Sequence, residues 1–252
     1  MSNFEDKIVQ SMTKKILESI YEPLFLESSH GFRPNKGCHT AVKALRQHLF
    51  RQKVDTVIDV DLENYLGTIS HSKMLEFLSH KIKDKTFLRY IHRMLKSGVL
   101  SEGDLRVTSE GTAQGSVVSL ILSNIFRHYA IDLWFERIVK RHAKGSVELF
   151  SYADDLVICC ELESDAKRVH AALDKRLEKF SLKMNKDKTK LVRFSKNKLY
   201  FQGIKQETFD FLGFTFVLGK SKTGNVIPKL ITSRKRFRSK LKNVTIWLKR
   251  FN

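Results

Sequence analysis

The stretch Tyr152-Ala153-Asp154-Asp155 constrains this chain more than any other. Val147-Glu148-Leu149-Phe150-Ser151 precedes it and Leu156-Val157-Ile158-Cys159-Cys160 follows it. Both flanks are short, apolar and rich in strand-favouring residues, which predicts two strands joined by a tight turn. Two adjacent carboxylates then sit at or beside the tip of a β-hairpin. Adjacent Asp residues disfavour a strand and repel each other unless a positive charge lies beside them. A divalent cation with oxygen ligands supplies such a charge. A solvated Asp-Asp turn is the other reading this stretch alone permits.

A second acidic strand bears on that choice. Thr56-Val57-Ile58-Asp59-Val60-Asp61 alternates apolar and polar residues, so Asp59 and Asp61 share one face. A basic, mostly helical segment follows to Lys96. The small-residue loop Gly111 to Ser116 leads into a long helix with Val118, Ile121, Leu122, Ile125, Tyr129 and Leu133 on its inner side. After the Asp-Asp hairpin, Ser164 is placed to cap a helix with apolar residues at Val169, Leu173, Leu177 and Phe180. Leu191 to Phe194 reads as a strand. From Thr56 the order is strand, helix, two strands, helix, strand, the βαββαβ ferredoxin-like arrangement. Asp61 then lies on a strand beside the hairpin of Asp154 and Asp155. Convergence of three acids favours the metal reading.

Around this core, Ile8, Met12, Ile16 and Ile20 mark an N-terminal helix disturbed by Pro23, and Ala41, Leu45 and Leu49 mark a second. Phe209 to Phe216 reads as one strand and Gly219 to Asn225 as a hairpin turn. Ser233 is placed to cap a last helix with Phe237, Leu241, Val244 and Leu248 on its apolar face. From Lys220 onward there are eleven Lys or Arg and no acid, and the whole chain carries a net charge of +19. That surplus suits a polyanionic partner, nucleic acid first. Three cysteines with no Cys-x-x-Cys exclude a disulfide scaffold and fit a reducing compartment, with the cytoplasm expected. The sequence holds no signal-peptide pattern and no apolar run of about 18 residues, so a membrane span is not expected.

Taken together, six motifs resemble the reverse transcriptases encoded by bacterial group II introns and their relatives. They are His30-Gly31-Phe32-Arg33-Pro34, Asp61 to His71, Gly111 to Ser116, Tyr152 to Asp155, Asn185 to Lys190, and Phe211-Leu212-Gly213-Phe214. The resemblance implies an α+β right-hand polymerase with a ferredoxin-like palm, helical fingers and the start of a thumb. Fingers would span 1–54 and 72–107, palm 55–71 and 108–219, and thumb 220–252.

The activity implied is RNA-directed DNA polymerisation, with an RNA template, a DNA primer and dNTPs as partners and group II intron RNA as a candidate template. Two Mg²⁺ ions, with Mn²⁺ an alternative, would be held by Asp61, the Leu62 carbonyl, Asp154 and Asp155. Lys188 matches a lysine near the leaving pyrophosphate. Lys7, Arg33, Leu66, Ala113, Gln114 and Gly115 match positions around the incoming nucleotide, and Phe211, Leu212 and Gly213 the primer grip. Asp59 faces as Asp61 does, but the family pattern does not make it a ligand.

The chain also departs from that pattern. Leu66 stands where an aromatic steric gate is usual, which predicts weaker discrimination against ribonucleotides. Gly67 stands where Asp is common, and Ala113 and Leu120 replace prolines. Against the family, the chain is expected to be short at both ends, lacking an upstream fingers segment and the maturase domain. Those departures keep two alternatives open: an inactive RNA-binding remnant of an intron-encoded maturase, and a retron-like enzyme that uses a dedicated RNA.

Overall fold

The computed structural model describes residues 4–96, 99–101, 104–106, 110–112 and 116–248. Helix α1 (Phe4–Tyr21) ends in a 3₁₀ turn (Glu22–Leu24) that Pro23 initiates, and a loop leads to α2 (Cys38–Arg51). Strand β1 (Thr56–Asp61) is followed by a 3₁₀ turn (Tyr65–Gly67), α3 (His71–Ser79) and α4 (Lys85–Lys96). A small hairpin, β2 (Val99–Ser101) and β3 (Asp104–Arg106), precedes α5 (Val117–Arg127). Two π-helical turns, His128–Asp132 and Phe135–Val139, prolong α5 into the short α6 (Lys140–His142). Then come β4 (Val147–Tyr152), β5 (Asp155–Cys160), α7 (Glu163–Glu178), β6 (Lys190–Arg193) and α8 (Lys196–Gln202). Strands β7 (Phe209–Phe211), β8 (Phe214–Lys220) and β9 (Val226–Thr232) lead to α9 (Arg234–Leu248).

The central sheet has the order β4-β5-β1-β6, with every neighbouring pair antiparallel. This is the βαββαβ arrangement expected from the order of elements. Period-2 alternation divides its side chains between two cores. Ile58, Val60, Leu156, Ile158 and Cys160 face the helices, where Ile121 and Ile125 of α5 and Val169 and Leu173 of α7 pack. Val57, Phe150, Val157, Cys159 and Val192 face the other way, against Ala41, Leu45 and Leu49 of α2 and Phe209, Phe211 and Phe216 of the β7-β8-β9 sheet. Asp59, Asp61 and Asp155 belong by alternation to this second face, toward the sheet end where β1 stops and β5 begins.

Several local expectations are corrected by packing. Helix α1 buries Thr13, Leu17 and Tyr21, and leaves Ile8, Met12 and Ile16 exposed. The helix is apolar on two sides, and only one meets the core. Helix α7 begins one residue before Ser164, after Leu162; the carboxylate that serves this region is Asp165, which accepts from the Lys144 and Gly145 amides at 2.9 and 2.8 Å. The run from Phe209 to Phe216 is a hairpin, because Leu212 (φ +50°) and Gly213 (φ +89°) turn the chain back. Positive φ at both central residues is the signature of a two-residue hairpin loop. Hairpin β8-β9 spans the expected palm–thumb boundary at 219/220, so the sheet ends only at Thr232. Ser233 precedes α9, but its hydroxyl donates to Asp210 at 2.9 Å. Phe237, Leu241, Val244 and Leu248 of α9 are exposed.

Candidate active site

Asp61 and Asp155 are directly opposed in the antiparallel β1-β5 register, and Asp59 opposes Val157 two residues away. Carboxylates on one face at this spacing repel. Asp59 shows the effect: its carboxyl is pushed up to about 7, first by burial, then by Asp155 and Asp210, with Lys190 pulling the other way and Asp61 adding to the rise. Asp61 meets a cation: Lys188 Nζ lies 3.4 Å from its Oδ1. Backbone bonds bring Lys188 there. Asn185 N donates to Asp61 O at 2.9 Å, Glu63 N to Lys183 O at 2.9 Å, and Asp61 N to Thr189 Oγ1 at 3.3 Å. Leu62 is buried and pairs with Met184 through these neighbours.

Asp154 is exposed on the turn between β4 and β5, after Ala153, whose φ is +54°. Among the described residues, no three His, Cys, Asp or Glu side chains converge closely enough to hold a metal by themselves. The expected convergence of three acids therefore becomes an opposed pair, Asp61 and Asp155, with Asp154 beside it. Asp61 faces Lys188. Two opposed carboxylates still suit Mg²⁺, which is usually held by one or two carboxylates plus substrate phosphates.

The loop before α2 braces the turn from behind. His30 N donates to Ser151 O at 2.9 Å and Ser151 N to Ser28 O at 3.0 Å. Gly31 lies so close that a Cβ there would sit 2.4 Å from Ala153 N. Tyr152 leans on Phe32, with ring centroids 5.7 Å apart, and a hydrogen bond with Cys38 and burial push its phenol up to about 12. Arg33, expected at the nucleotide, is instead buried structure. Its Nη1 donates to Leu26 O and Ser29 O at 2.6 and 2.7 Å, and its Nε and Nη2 meet Glu22 Oε1 at 2.9 and 2.7 Å. Those bonds spend the guanidinium on shaping the 22–33 loop.

Ala113, Gln114 and Gly115 lie outside the described residues; the residues on either side of them are held by hydrogen bonds. Thr112 N donates to Leu66 O at 2.8 Å and Gly111 N to Ile69 O at 2.8 Å. Gln10 of α1 accepts at Oε1 from Ser116 Oγ at 3.1 Å and from Val117 N at 3.2 Å. Gln10 thus serves the first turn of α5, whose amides otherwise lack intrahelical partners. Lys7 is exposed one turn earlier on α1, on the side of Gln10. Leu66 is half-buried and packs on the helical core. Its neighbour Tyr65 is buried and donates to Ser123 O at 2.7 Å; burial raises its phenol, Arg127 opposes, and Asp132 and Asp154 add to the rise.

Phe211 is buried in the second core and Leu212 packs against that core. Gly213 O accepts from Ser233 N at 3.1 Å, and the ring of Phe214 lies 6.2 Å from that of His39 at the start of α2. Asp210 of this hairpin is near enough to repel Asp59, contributing to the rise of its pKa. Three residues that sequence reasoning passed over belong to this assembly: Gln10, Asn124 and Arg127. The signal for Arg127 was a charge next to Ile125 and Phe126 in a helix rich in apolar residues, where a buried charge needs a partner.

Comparison with known proteins identifies the family. The family described as reverse transcriptase (RNA-dependent DNA polymerase) matches residues 1–216. An uncharacterized 91 kDa protein in the cob intron of Schizosaccharomyces pombe is 34% identical over 197 residues, which are 78% of this chain and 24% of that protein. The group II intron-encoded protein LtrA of Lactococcus lactis subsp. cremoris is 37% identical over 125 residues, 50% of this chain and 20% of LtrA. The chain therefore spans a minor part of the length of these relatives. Telomerase from Candida albicans, solved with a TWJ fragment of telomeric RNA, superposes with a TM-score of 0.63 at 17% identity, over 82% of this chain and 36% of the telomerase. At that identity the likeness speaks to the fold.

Proposed function

The chain belongs to the reverse transcriptase (RNA-dependent DNA polymerase) family, and on that premise we propose that it extends a DNA primer on an RNA template by metal-dependent nucleotidyl transfer. The observation that carries this reading is the opposition of Asp61 and Asp155 at the open end of the sheet, with Lys188 against Asp61. Asp61, Asp155, the adjacent Asp154 and the Leu62 carbonyl would hold two Mg²⁺ ions. Bound there, the ions would lower the pKa of the primer 3′-hydroxyl and neutralise charge on the leaving pyrophosphate.

The remaining work falls to this chain's own groups. Lys188, which lies beside Asp61, would hold a proton for the leaving pyrophosphate. Lys7 and residues 113–115 meet the triphosphate; the flanking Thr112 and Val117 are held by Leu66 O and Gln10 Oε1. Turn Leu212-Gly213 supports the primer end. Residues 1–54 and 72–107 act as fingers and 55–71 and 108–219 as palm, the palm extending through β9; α9 begins the thumb. Its Lys and Arg side chains lie along the template–primer backbone, giving sequence-independent affinity.

The test is primer extension on an RNA template with dNTPs and Mg²⁺ or Mn²⁺, beside an Asp154→Ala, Asp155→Ala double variant. Extension by the unmodified chain alone is expected. If neither protein extends while both bind RNA equally and salt-dependently, the chain is an RNA-binding remnant and the polymerase reading falls.

A further inference from the structure

Arg127 is fully buried at the end of α5, among the largest side chains in the described interior. A guanidinium there is costly unless each part of it is answered. Its Nη1 donates to Ala153 O at 2.9 Å, its Nη2 donates to Ser29 Oγ, and its Nε lies 3.6 Å from Asp132 Oδ2. Asp132 is equally buried, and neither of its carboxylate oxygens has a hydrogen-bond partner among the described residues. Arg127 Nε likewise has no hydrogen-bond partner among the described residues, so the two groups face each other as a close pair at 3.6 Å rather than through a hydrogen bond. In a regular α-helix residues five apart lie about 140° apart around the axis. Here the turn is π-helical, with Leu133 N bonded to His128 O, and the wider turn carries Asp132 back to Arg127.

The bond to Ala153 matters because of where Ala153 stands. It is the turn residue before Asp154, at φ +54°, a conformation L-residues rarely adopt. A trans peptide is planar, so C=O and the following N–H point opposite ways. Holding the Ala153 carbonyl inward fixes the Asp154 amide outward, and with it the direction in which Asp154 and Asp155 leave the turn. One turn earlier on α5, Asn124 Nδ2 donates to Gly31 O at 2.7 Å, so the same helix also holds the loop behind the turn.

We propose that Arg127, paired with Asp132, is a positioning residue for nucleotidyl transfer: it locks the Ala153–Asp154 peptide plane and thereby aims the acidic pair. Its effect on rate rests on the polymerase reading; its effect on the turn does not. Arg127→Met alone strands the Asp132 charge, so the deciding variant is Arg127→Met with Asp132→Leu, which removes both charges together. Expected are a melting temperature at or above that of the unmodified chain and unchanged binding of an RNA–DNA duplex. Amide exchange at residues 152–155 should rise about tenfold, and kcat should fall about 100-fold with the dNTP KM within about threefold. Arg127→Lys, which keeps the charge but not the fork, should fall between on both readouts and stands in if the double variant does not fold. Unchanged exchange at 152–155 in a folded variant overturns the proposal, and so does faster exchange with an unchanged kcat. If the unmodified chain extends no primer, the polymerase reading falls and the exchange measurement alone decides the positioning claim.

Discussion

Replacing Gly31 by Ala tests how closely the loop before α2 fits the turn that carries Asp154. The added Cβ would lie 2.4 Å from Ala153 N, 3.1 Å from Tyr152 C and 3.3 Å from Ala153 Cα, all backbone atoms. Ordinary contact begins near 3.4 Å, so one side must give by about 1 Å. Neither side is loose. The 28–31 segment is bonded to Ser151 on both edges and to Asn124 through Gly31 O. Gly31 is not among the residues with positive φ, so backbone strain does not confuse the result. Overpacking of this kind costs about 1–3 kcal/mol, and a displacement of about 1 Å at a catalytic group costs about 100-fold in rate. Single-turnover primer extension should therefore show kcat down by about two orders of magnitude, alongside a modest drop in melting temperature. Gly37→Ala, whose Cβ meets nothing within 4 Å, is the control and should extend normally. Full activity and an unchanged melt for Gly31→Ala would refute the close approach and the bracing role built on it.

Other consequences can be measured directly. Lys188→Ala should lower kcat by about 100-fold, as expected of a lost general acid, yet leave the melt unchanged, because its pair with Asp61 is exposed; a large loss of stability would contradict this. Asp61→Asn should abolish extension while template–primer binding survives, and residual extension near normal would remove Asp61 from the metal site. His30 has its pKa lowered from 6.5 to about 4, mainly by burial and then by Lys36 and Arg33. Between those values the unfolded chain binds a proton that the folded chain does not, so stability is full above pH 6.5 and is lost as pH falls toward 4, by up to about 3 kcal/mol. His30→Gln should flatten melting temperature across that range, and an unchanged pH slope would contradict the assignment. RNA affinity should fall steeply with salt, as counterion release by a +19 chain requires, and binding insensitive to salt would speak against backbone contacts.

Strand β1, the Asp154-Asp155 hairpin and their order with α7 and β6 were legible in the sequence. Alternation and turn residues act over a few positions, where sterics decide φ and ψ without help from distant chain. The spacing of Asp59 and Asp61 put both on one face for the same reason. What neighbours each element finds was not local information. Helix α1 offered two apolar stripes, and only packing against α5 decided that Leu17 and Tyr21 go inside. Arg33 looked available for a phosphate, but Glu22 and the carbonyls of Leu26 and Ser29 claim it. The alternation from Phe209 to Phe216 promised one strand, until left-handed residues at Leu212 and Gly213 folded it into a hairpin. Arg127 carried no periodic signal at all. Its role exists only because a π-helical turn returns Asp132 to it and the tertiary fold brings Ala153 within 2.9 Å of its guanidinium. Short-range sterics thus set the elements and the facing of the acids. Long-range packing, with the need to answer every buried charge and polar group, decided which side chains aim and support them.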